Sequence, residues 1–212
     1  MRKLRLLSVL LVALALPACS STDKKTAEAV EERPVEALYN EASAAMDAER
    51  FQEATRLFQE VERQHPYSQW AAKAELMAAF ASYKDQRYDE AIIALDRYIE
   101  LHPGNDDIDY AYYLKALSYY ERISDVARDQ AMTQQALNAL QTLTRRFPDS
   151  QYARDAQLKQ DLVMDHLAGK EMEIGRYYIN RGHINAAINR FRTVVTGYQT
   201  TTHVPEALHR LV

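Results

Sequence analysis

The chain has 212 residues, with 26 lysines and arginines against 30 aspartates and glutamates, and its formal net charge is −4. This mildly acidic balance gives no general electrostatic case for binding nucleic acid. The single cysteine excludes an intrachain disulfide and a multi-cysteine metal site.

The first 18 residues have the pattern of a bacterial lipoprotein signal peptide. A basic start is followed by an apolar run from Leu6 to Leu16, which is too short to span a membrane. The run ends in Leu16-Pro17-Ala18-Cys19, which resembles a lipobox, the motif cleaved before a cysteine that is then acylated. We therefore expect Cys19 to carry the lipid anchor, and in signals of this kind Ser20 favours sorting to the outer membrane. The alternative is an ordinary secretory signal with a chance cysteine.

Residues 19–33 are small and charged and show no apolar period, which predicts a flexible tether. Loss of residues 1–18 would leave 23 basic against 30 acidic residues, a net charge of −7. The mature chain would therefore be more acidic than the precursor.

One pattern of apolar residues occurs four times after the tether. A small residue is followed four and seven positions later by larger apolar residues, and a proline follows in three of the four cases. The small residues are Ala54, Ala91, Ala136 and Ala187, at spacings of 37, 45 and 51 residues. The basic tetratricopeptide period is about 34 residues, so each unit here carries additional residues. The pattern predicts an all-α solenoid of antiparallel helix pairs over residues 34–212.

The helix pairs can be placed approximately along the chain. We expect helices at 35–48 and 51–64, at 68–84 and 88–101, at 107–123 and 130–146, then a single helix at 150–167, and a last pair at 170–181 and 184–197. Pro205 opens a further short helix that runs to Val212. Because half a repeat is unfavourable at the end of a solenoid, we expect the natural protein to continue with a last repeat that is missing here.

No catalytic or metal-binding motif is found in the sequence. Neither HExxH, a P-loop, GxGxxG nor G-x-S-x-G occurs. We therefore expect a protein that is not an enzyme and that has no catalytic residues, no bound metal and no cofactor.

Fourteen tyrosines form the other distinctive feature of the composition. Those that do not pack between repeats would line the inner groove, where aromatic surface is suited to gripping a peptide. The candidates are Tyr39, Tyr83, Tyr112 and Tyr113. The alternative for each of them is simple packing against its neighbours.

Several longer stretches resemble the BamD (ComL) family of lipoproteins, which belong to the machinery that inserts β-barrels into the Gram-negative outer membrane. They are HPYSQWAAKAELMAA (65–79), RYDEAIIALDRYIELHPGNDDIDYAYYLKAL (87–117), RRFPDSQYARDA (145–156) and KEMEIGRYYINRGHINAAINRF (170–191). The resemblance covers nearly all of residues 34–212. It implies a lipid-anchored scaffold on the periplasmic face of the outer membrane, with five repeats in the complete family pattern.

The resemblance also implies partners. The N-terminal repeats would receive the targeting signal of unfolded outer-membrane protein precursors, and the C-terminal repeats would dock the periplasmic domain of BamA, the barrel subunit. Other lipoproteins of the assembly complex would also bind, whereas nucleic acid would not. The pair Asn189 and Arg190 resembles the family's contact with BamA.

Two other functions remain open at this point. One is a different periplasmic repeat lipoprotein that acts as a scaffold in a cell-envelope or division complex. The other is an enzyme that uses the repeats as an adaptor, which would need a catalytic domain after Val212.

Overall fold

The computed structural model describes residues 32–126 and 130–212, and all regular secondary structure in these two ranges is helical. The prediction of an all-α fold is confirmed. The described helices are α1 (Val35–Asp47), α2 (Phe51–Gln64), α3 (Gln69–Lys84), α4 (Tyr88–Leu101), α5 (Ile108–Tyr120), α6 (Ala131–Arg146), α7 (Ala153–Asn180), α8 (Ile184–Gly197) and α9 (Val204–Leu211).

Each helix packs on the next one along the chain, as the antiparallel pairs of a tetratricopeptide-type solenoid do. The first helices of successive pairs also touch: α1 contacts α3, and α3 contacts α5. The apolar core is accordingly divided into four clusters that follow one another along the chain.

The repeated alanines and the larger residues after them form this core, as the pattern predicts. Ala54, Ala91 and Ala136 are fully buried, and Ala187 is 1 % exposed. The larger residues of the pattern are also buried: Phe58 and Val61, Leu95 and Tyr98, Leu140 and Leu143, and Phe191 and Val194. A small side chain lets the neighbouring helix approach, and the larger residue one turn later fills the space beside it.

Three of the turns between paired helices share one geometry. In each turn, the residue two positions before the second helix has a positive φ: 57° at Glu49, 61° at Gln86 and 76° at Gly182. The next residue then donates its backbone N–H to a carbonyl near the end of the preceding helix, at 2.9 Å in all three. Gly182 adopts this left-handed conformation without a steric cost, whereas Glu49 and Gln86 adopt it at some cost in energy.

The predicted division of residues 150–181 into two helices is wrong. The chain forms one continuous helix, α7, of 28 residues. Gly169 lies buried within it, at the place where the break was expected, and His203 approaches it so closely that an added Cβ would lie 3.1 Å from Nε2. One glycine costs an α-helix only about 1 kcal/mol relative to alanine. Packing against the α8–α9 segment outweighs that cost.

The predicted signal peptide, residues 1–18, lies outside the described residues, as does the predicted tether up to residue 31. Residues from Arg33 to Val212 form one compact unit. Across ranges 32–126 and 130–212, every helix is either too short or too polar to span a membrane.

Candidate functional site

Two of the four predicted groove tyrosines, Tyr83 and Tyr113, lie near Tyr110 and Tyr152. Tyr83 is close enough to contribute to the raised pKa values of Tyr110 and Tyr113, although its ring pairs with that of Tyr88 at 5.6 Å. The rings of Tyr113 and Tyr152 are stacked with centroids 4.8 Å apart, and the rings of Tyr110 and Tyr152 are 5.3 Å apart. Tyr83 comes from α3, Tyr110 and Tyr113 from α5, and Tyr152 immediately precedes α7. We call these four residues the tyrosine cluster. Its members therefore come from α3, from α5 and from the start of α7, which are the first helices of three successive helix pairs.

The hydroxyl groups of the cluster stay protonated well above neutral pH. Burial raises the pKa of Tyr110 to about 12, with smaller contributions from Tyr152 and Tyr83. Burial, followed by the charge of Glu121, raises the pKa of Tyr83 to about 12. The half-buried rings therefore offer apolar surface and neutral hydroxyl groups to a ligand.

An acidic group anchors the cluster from the side of α7. The Tyr113 hydroxyl donates to Asp155 Oδ2 at 2.6 Å, and Asp155 also accepts from Lys159 Nζ at 3.0 Å. Burial and this hydrogen bond raise the pKa of Tyr113. The Tyr113 ring, fixed in this way, supplies aromatic surface of the kind that contributes strongly to protein interfaces.

Tyr112 lies on another side of α5 from Tyr113, because adjacent residues of an α-helix differ by about 100° in direction. Its ring is 5.3 Å from that of Phe147, and its hydroxyl accepts from Arg146 Nη1 at 2.6 Å. It lines a separate cavity of about 280 Å³ between α5 and α6. The structure therefore does not bring Tyr112 into the tyrosine cluster.

Tyr39 is only 9 % exposed and packs in the core of the first pair. Its ring lies 5.3 Å from that of Phe58 and 4.8 Å from that of Trp70. This position corresponds to the packing role that the sequence left open as the alternative. Tyr39 offers too little surface to hold a peptide.

Two members of the cluster, Tyr110 and Tyr152, were not among the sequence candidates. Tyr110 precedes Tyr113 by three positions, so the two share a helix face. Tyr152 occupies the aromatic position of the Pro-x-Ser-Gln-aromatic motif that also occurs at residues 66–70. The helical spacing of Tyr110 and the repeated motif at Tyr152 could both be read from the sequence. Neither shows which other helix the two tyrosines would contact.

The predicted docking pair, Asn189 and Arg190, lies on α8. The two residues line one shallow cavity of about 220 Å³ between α7 and α8, together with Tyr178, Ala186 and Thr193. Arg190 Nη1 donates to both carboxylate oxygens of Glu171 on α7, at 3.3 and 3.1 Å. The Arg190 side chain remains 41 % exposed, whereas that of Glu171 is 19 % exposed. Glu171 thus positions Arg190 and leaves much of its guanidinium accessible.

Cys19, the predicted lipidation site, lies outside the described residues. Within the part of the chain that the structure describes, no three histidine, cysteine or carboxylate side chains gather in a way that could hold a metal ion.

The fold and these surfaces define the class of protein: a helical repeat protein of the tetratricopeptide type, with an aromatic cluster on one set of helices and an arginine-lined cavity near its C-terminal end. The sequence profile of the YfiO family, described as outer membrane lipoprotein, matches residues 31–212. The chain belongs to this family.

Relatives of this chain carry the name outer membrane protein assembly factor BamD. The protein from Caulobacter vibrioides is 50 % identical over 206 residues, which cover 97 % of this chain and 68 % of that protein. The protein from Rickettsia prowazekii is 46 % identical, covering 100 % and 84 %. The protein from Neisseria meningitidis serogroup B is 35 % identical, covering 96 % and 81 %.

Proposed function

We propose that this chain is an outer-membrane protein assembly factor that works as a scaffold without catalysing a reaction. One observation carries the proposal: relatives named outer membrane protein assembly factor BamD match at least 96 % of this chain at 35–50 % identity. In this role the protein brings unfolded β-barrel precursors to the barrel subunit BamA for insertion into the membrane.

The anchor of the scaffold is Cys19, acylated after cleavage of residues 1–18. The sequence Leu16-Pro17-Ala18-Cys19 supports this assignment. Acyl chains hold a protein to a bilayer through about 0.8 kcal/mol per buried methylene group. The repeats then lie on the periplasmic face of the outer membrane.

The tyrosine cluster is the surface that receives the precursor. Asp155 holds Tyr113, which stacks on Tyr152, so a client segment that ends in an aromatic residue can pack on these rings without first ordering the site. Tyr83 and Tyr113 remain in this proposal, whereas Tyr39 and Tyr112 lie elsewhere.

Asn189 and Arg190 form the docking site for the periplasmic domain of BamA. The guanidinium of Arg190 is planar and can hold a carboxylate of the partner by two hydrogen bonds. Its existing contact with Glu171 uses Nη1 alone. Nη2 and Nε therefore remain the groups available to a partner, beside the exposed amide of Asn189.

Affinity purification tests the proposal directly. The tagged full-length protein is isolated from membranes of its own host, and the co-purifying proteins are identified by mass spectrometry. We expect BamA and other lipoproteins of the assembly complex. Recovery of division or cell-envelope proteins without BamA would instead support the alternative scaffold.

Crosslinking tests the client surface. A photoreactive amino acid is placed at position 113 in one variant and at position 112 in the other, and each is mixed with a peptide that carries a precursor's C-terminal aromatic signal. We expect the peptide to label position 113 and not position 112, because the two side chains face different sides of α5. Equal labelling would argue against the cluster.

A further inference from the structure

A groove that the proposed function does not use lies between residues 120–126 and the α7 segment 162–176. It consists of two adjoining cavities of about 360 and 460 Å³ that share Leu162 and His166. His203, from the segment before α9, closes one side. We call this feature the acidic groove.

Leu162, which lines both cavities, continues an exposed apolar strip on α7. Leu162 is 60 % exposed, and Leu158, one helical turn before it, is also 60 % exposed. Residues four apart on a helix lie on the same face, so the two leucines form one apolar strip. Exposed apolar surface rimmed by polar groups is typical of a place where another protein binds.

The charged groups around this strip are mainly acidic. Four carboxylates line the two cavities: Glu121, Asp125, Asp165 and Glu173. Among the described lining residues, Arg176 is the one lysine or arginine.

The cationic groups near the groove are largely engaged. Arg176 Nη1 donates to both carboxylate oxygens of Glu206 at 3.2 Å, and Lys170, outside the lining, pairs with Glu173 at 3.3 Å. His203 Nε2 lies 3.7 Å from Asp165 Oδ2. Among the described lining residues, carboxylates therefore outnumber lysine and arginine side chains by four to one.

Two further observations concern the polar groups of the groove. The Nε2 atom of His166, which lines both cavities, is buried and has no hydrogen-bond partner in the described part of the chain. Burial acts to raise the pKa of Asp165, but hydrogen bonds from Thr202 and the nearby His203 hold that pKa below its usual value. Asp165 therefore stays ionised.

The length of the acidic groove favours an extended chain. From Leu162 to Glu173 the groove follows α7 for about 16 Å, given a rise of 1.5 Å per helical residue. That distance matches about five residues of an extended peptide. A small molecule would fill only part of it.

We propose that the acidic groove binds an extended segment of a partner protein in which lysine or arginine residues flank an apolar residue. The apolar residue packs on Leu162, and the basic residues face the carboxylates on either side. Charge complementarity of this kind selects the partner and speeds its association. This interaction lies outside the proposed function and does not depend on it.

Fluorescence anisotropy with a labelled peptide tests the assignment. The probe alternates lysine and leucine with serine spacers, and a second peptide has glutamate in place of lysine. The purified mature chain should bind the lysine peptide and not the glutamate peptide, and added salt should weaken the binding. No binding of the lysine peptide, or equal binding of both peptides, would overturn the proposal.

Matched variants locate the binding on the protein. We expect Leu162→Asn to weaken binding about tenfold, since an apolar contact is lost. Glu173→Gln should weaken it about threefold, as expected for one partly exposed charge. The controls are Leu101→Asn, where the leucine is 58 % exposed on α4, and Glu36→Gln on α1. Binding that is insensitive to Leu162→Asn, or equally sensitive to Leu101→Asn, would show that the peptide does not occupy this groove.

Discussion

Phe191 packs directly on the backbone of Gly175, where helices α7 and α8 meet. A Cβ atom added at Gly175 would lie 2.4 Å from Cε1 of Phe191, a distance shorter than real side chains allow. Phe191 is fully buried and is the large apolar residue of the fourth repeat pattern. The close approach of α7 and α8 therefore depends on the glycine at position 175 of α7.

Gly175→Ala should destabilise the protein. Because the Phe191 ring is enclosed, the extra methyl group forces the two helices apart, at a cost of about 1–3 kcal/mol in the free energy of unfolding. Urea denaturation followed by circular dichroism measures the change. Gly197→Ala is the control, since nothing lies within 4 Å of its added Cβ. It should be neutral or stabilising by up to about 1 kcal/mol. Similar stability of the two variants would contradict the packing argument.

Asp165 holds the segment before α9 against α7. Its Oδ1 accepts from the backbone N–H of Thr202 at 2.8 Å and from the Thr202 hydroxyl at 2.7 Å. Asp165→Ala should lower the free energy of unfolding by about 1–3 kcal/mol, because both donors lose a charged acceptor. Hydrogen exchange near Thr202 should also become faster. Asp161→Ala, at an exposed position of the same helix, should have little effect on either measurement.

Asp165 should also make stability depend on acid pH. Its pKa in the folded protein is held below the usual value, which is about 3.9 in the unfolded chain. The stabilisation is therefore present above the unfolded pKa and is lost as pH falls through the folded pKa. Urea denaturation at neutral and at acid pH measures this effect. Between the two pH values, the free energy of unfolding should fall less for Asp165→Ala than for the parent protein. An equal loss would mean that Asp165 does not contribute to the acid sensitivity.

The tyrosine cluster predicts a signature at alkaline pH. Tyr83 and Tyr110 have pKa values of about 12 in the folded protein, against about 10 in an unfolded chain. Unfolding should therefore become more favourable as pH rises from about 10 to about 12. In an ultraviolet absorbance titration, Tyr110→Phe should remove one late-ionising group. An unchanged number of late-ionising tyrosines in Tyr110→Phe would show that Tyr110 is not held as described.

Arg190→Ala should weaken binding of the BamA periplasmic domain. The loss should be about 2–5 kcal/mol if the arginine is buried and paired in the interface, and under about 1 kcal/mol if it lies at the rim. Titration calorimetry measures it once helicity and melting temperature are shown to be intact. Arg192→Ala, at an exposed position of the same helix, is the control.

Glu171 supplies a second test of the docking pair. Glu171→Gln removes the internal charge partner of Arg190 while keeping the shape of the side chain. If Arg190 acts only in this internal pair, both variants should leave BamA binding unchanged. If it contacts BamA, Arg190→Ala should weaken binding more than Glu171→Gln does.

Cys19→Ala should abolish lipid attachment. Cells are grown with labelled fatty acid, and the protein is recovered by immunoprecipitation. The parent protein should carry the label and the variant should not, because Cys19 is the single cysteine of the chain. Retention of label by the variant would contradict the anchor. Because the experiment detects the fatty-acid label on the protein, membrane association through partner proteins does not affect the result.

The repeat pattern was sufficient to predict most of the helices and the core. It identified Ala54, Ala91, Ala136 and Ala187, since spacing along a helix determines which residues share a face. It did not reveal the continuity of α7, because a glycine disfavours a helix only weakly and long-range packing decides the outcome.

The aromatic cluster shows a similar limit. Sequence reasoning selected Tyr112 and Tyr113 together, although one faces α6 and the other faces α7. A sequence gives the angle between two side chains on a helix, but not the neighbour that each one meets. The same is true of Arg190, whose contact with Glu171 joins residues 19 positions apart on two different helices.

The length of α7 gives the two proposed binding surfaces a common mechanical support. Asp155, which holds Tyr113, and Glu171, which holds Arg190, lie on this one helix and are separated by about 24 Å along its axis. An unbroken α-helix behaves as a stiff rod over such a distance. A displacement of this helix would move both carboxylates together, so the two proposed surfaces share one support.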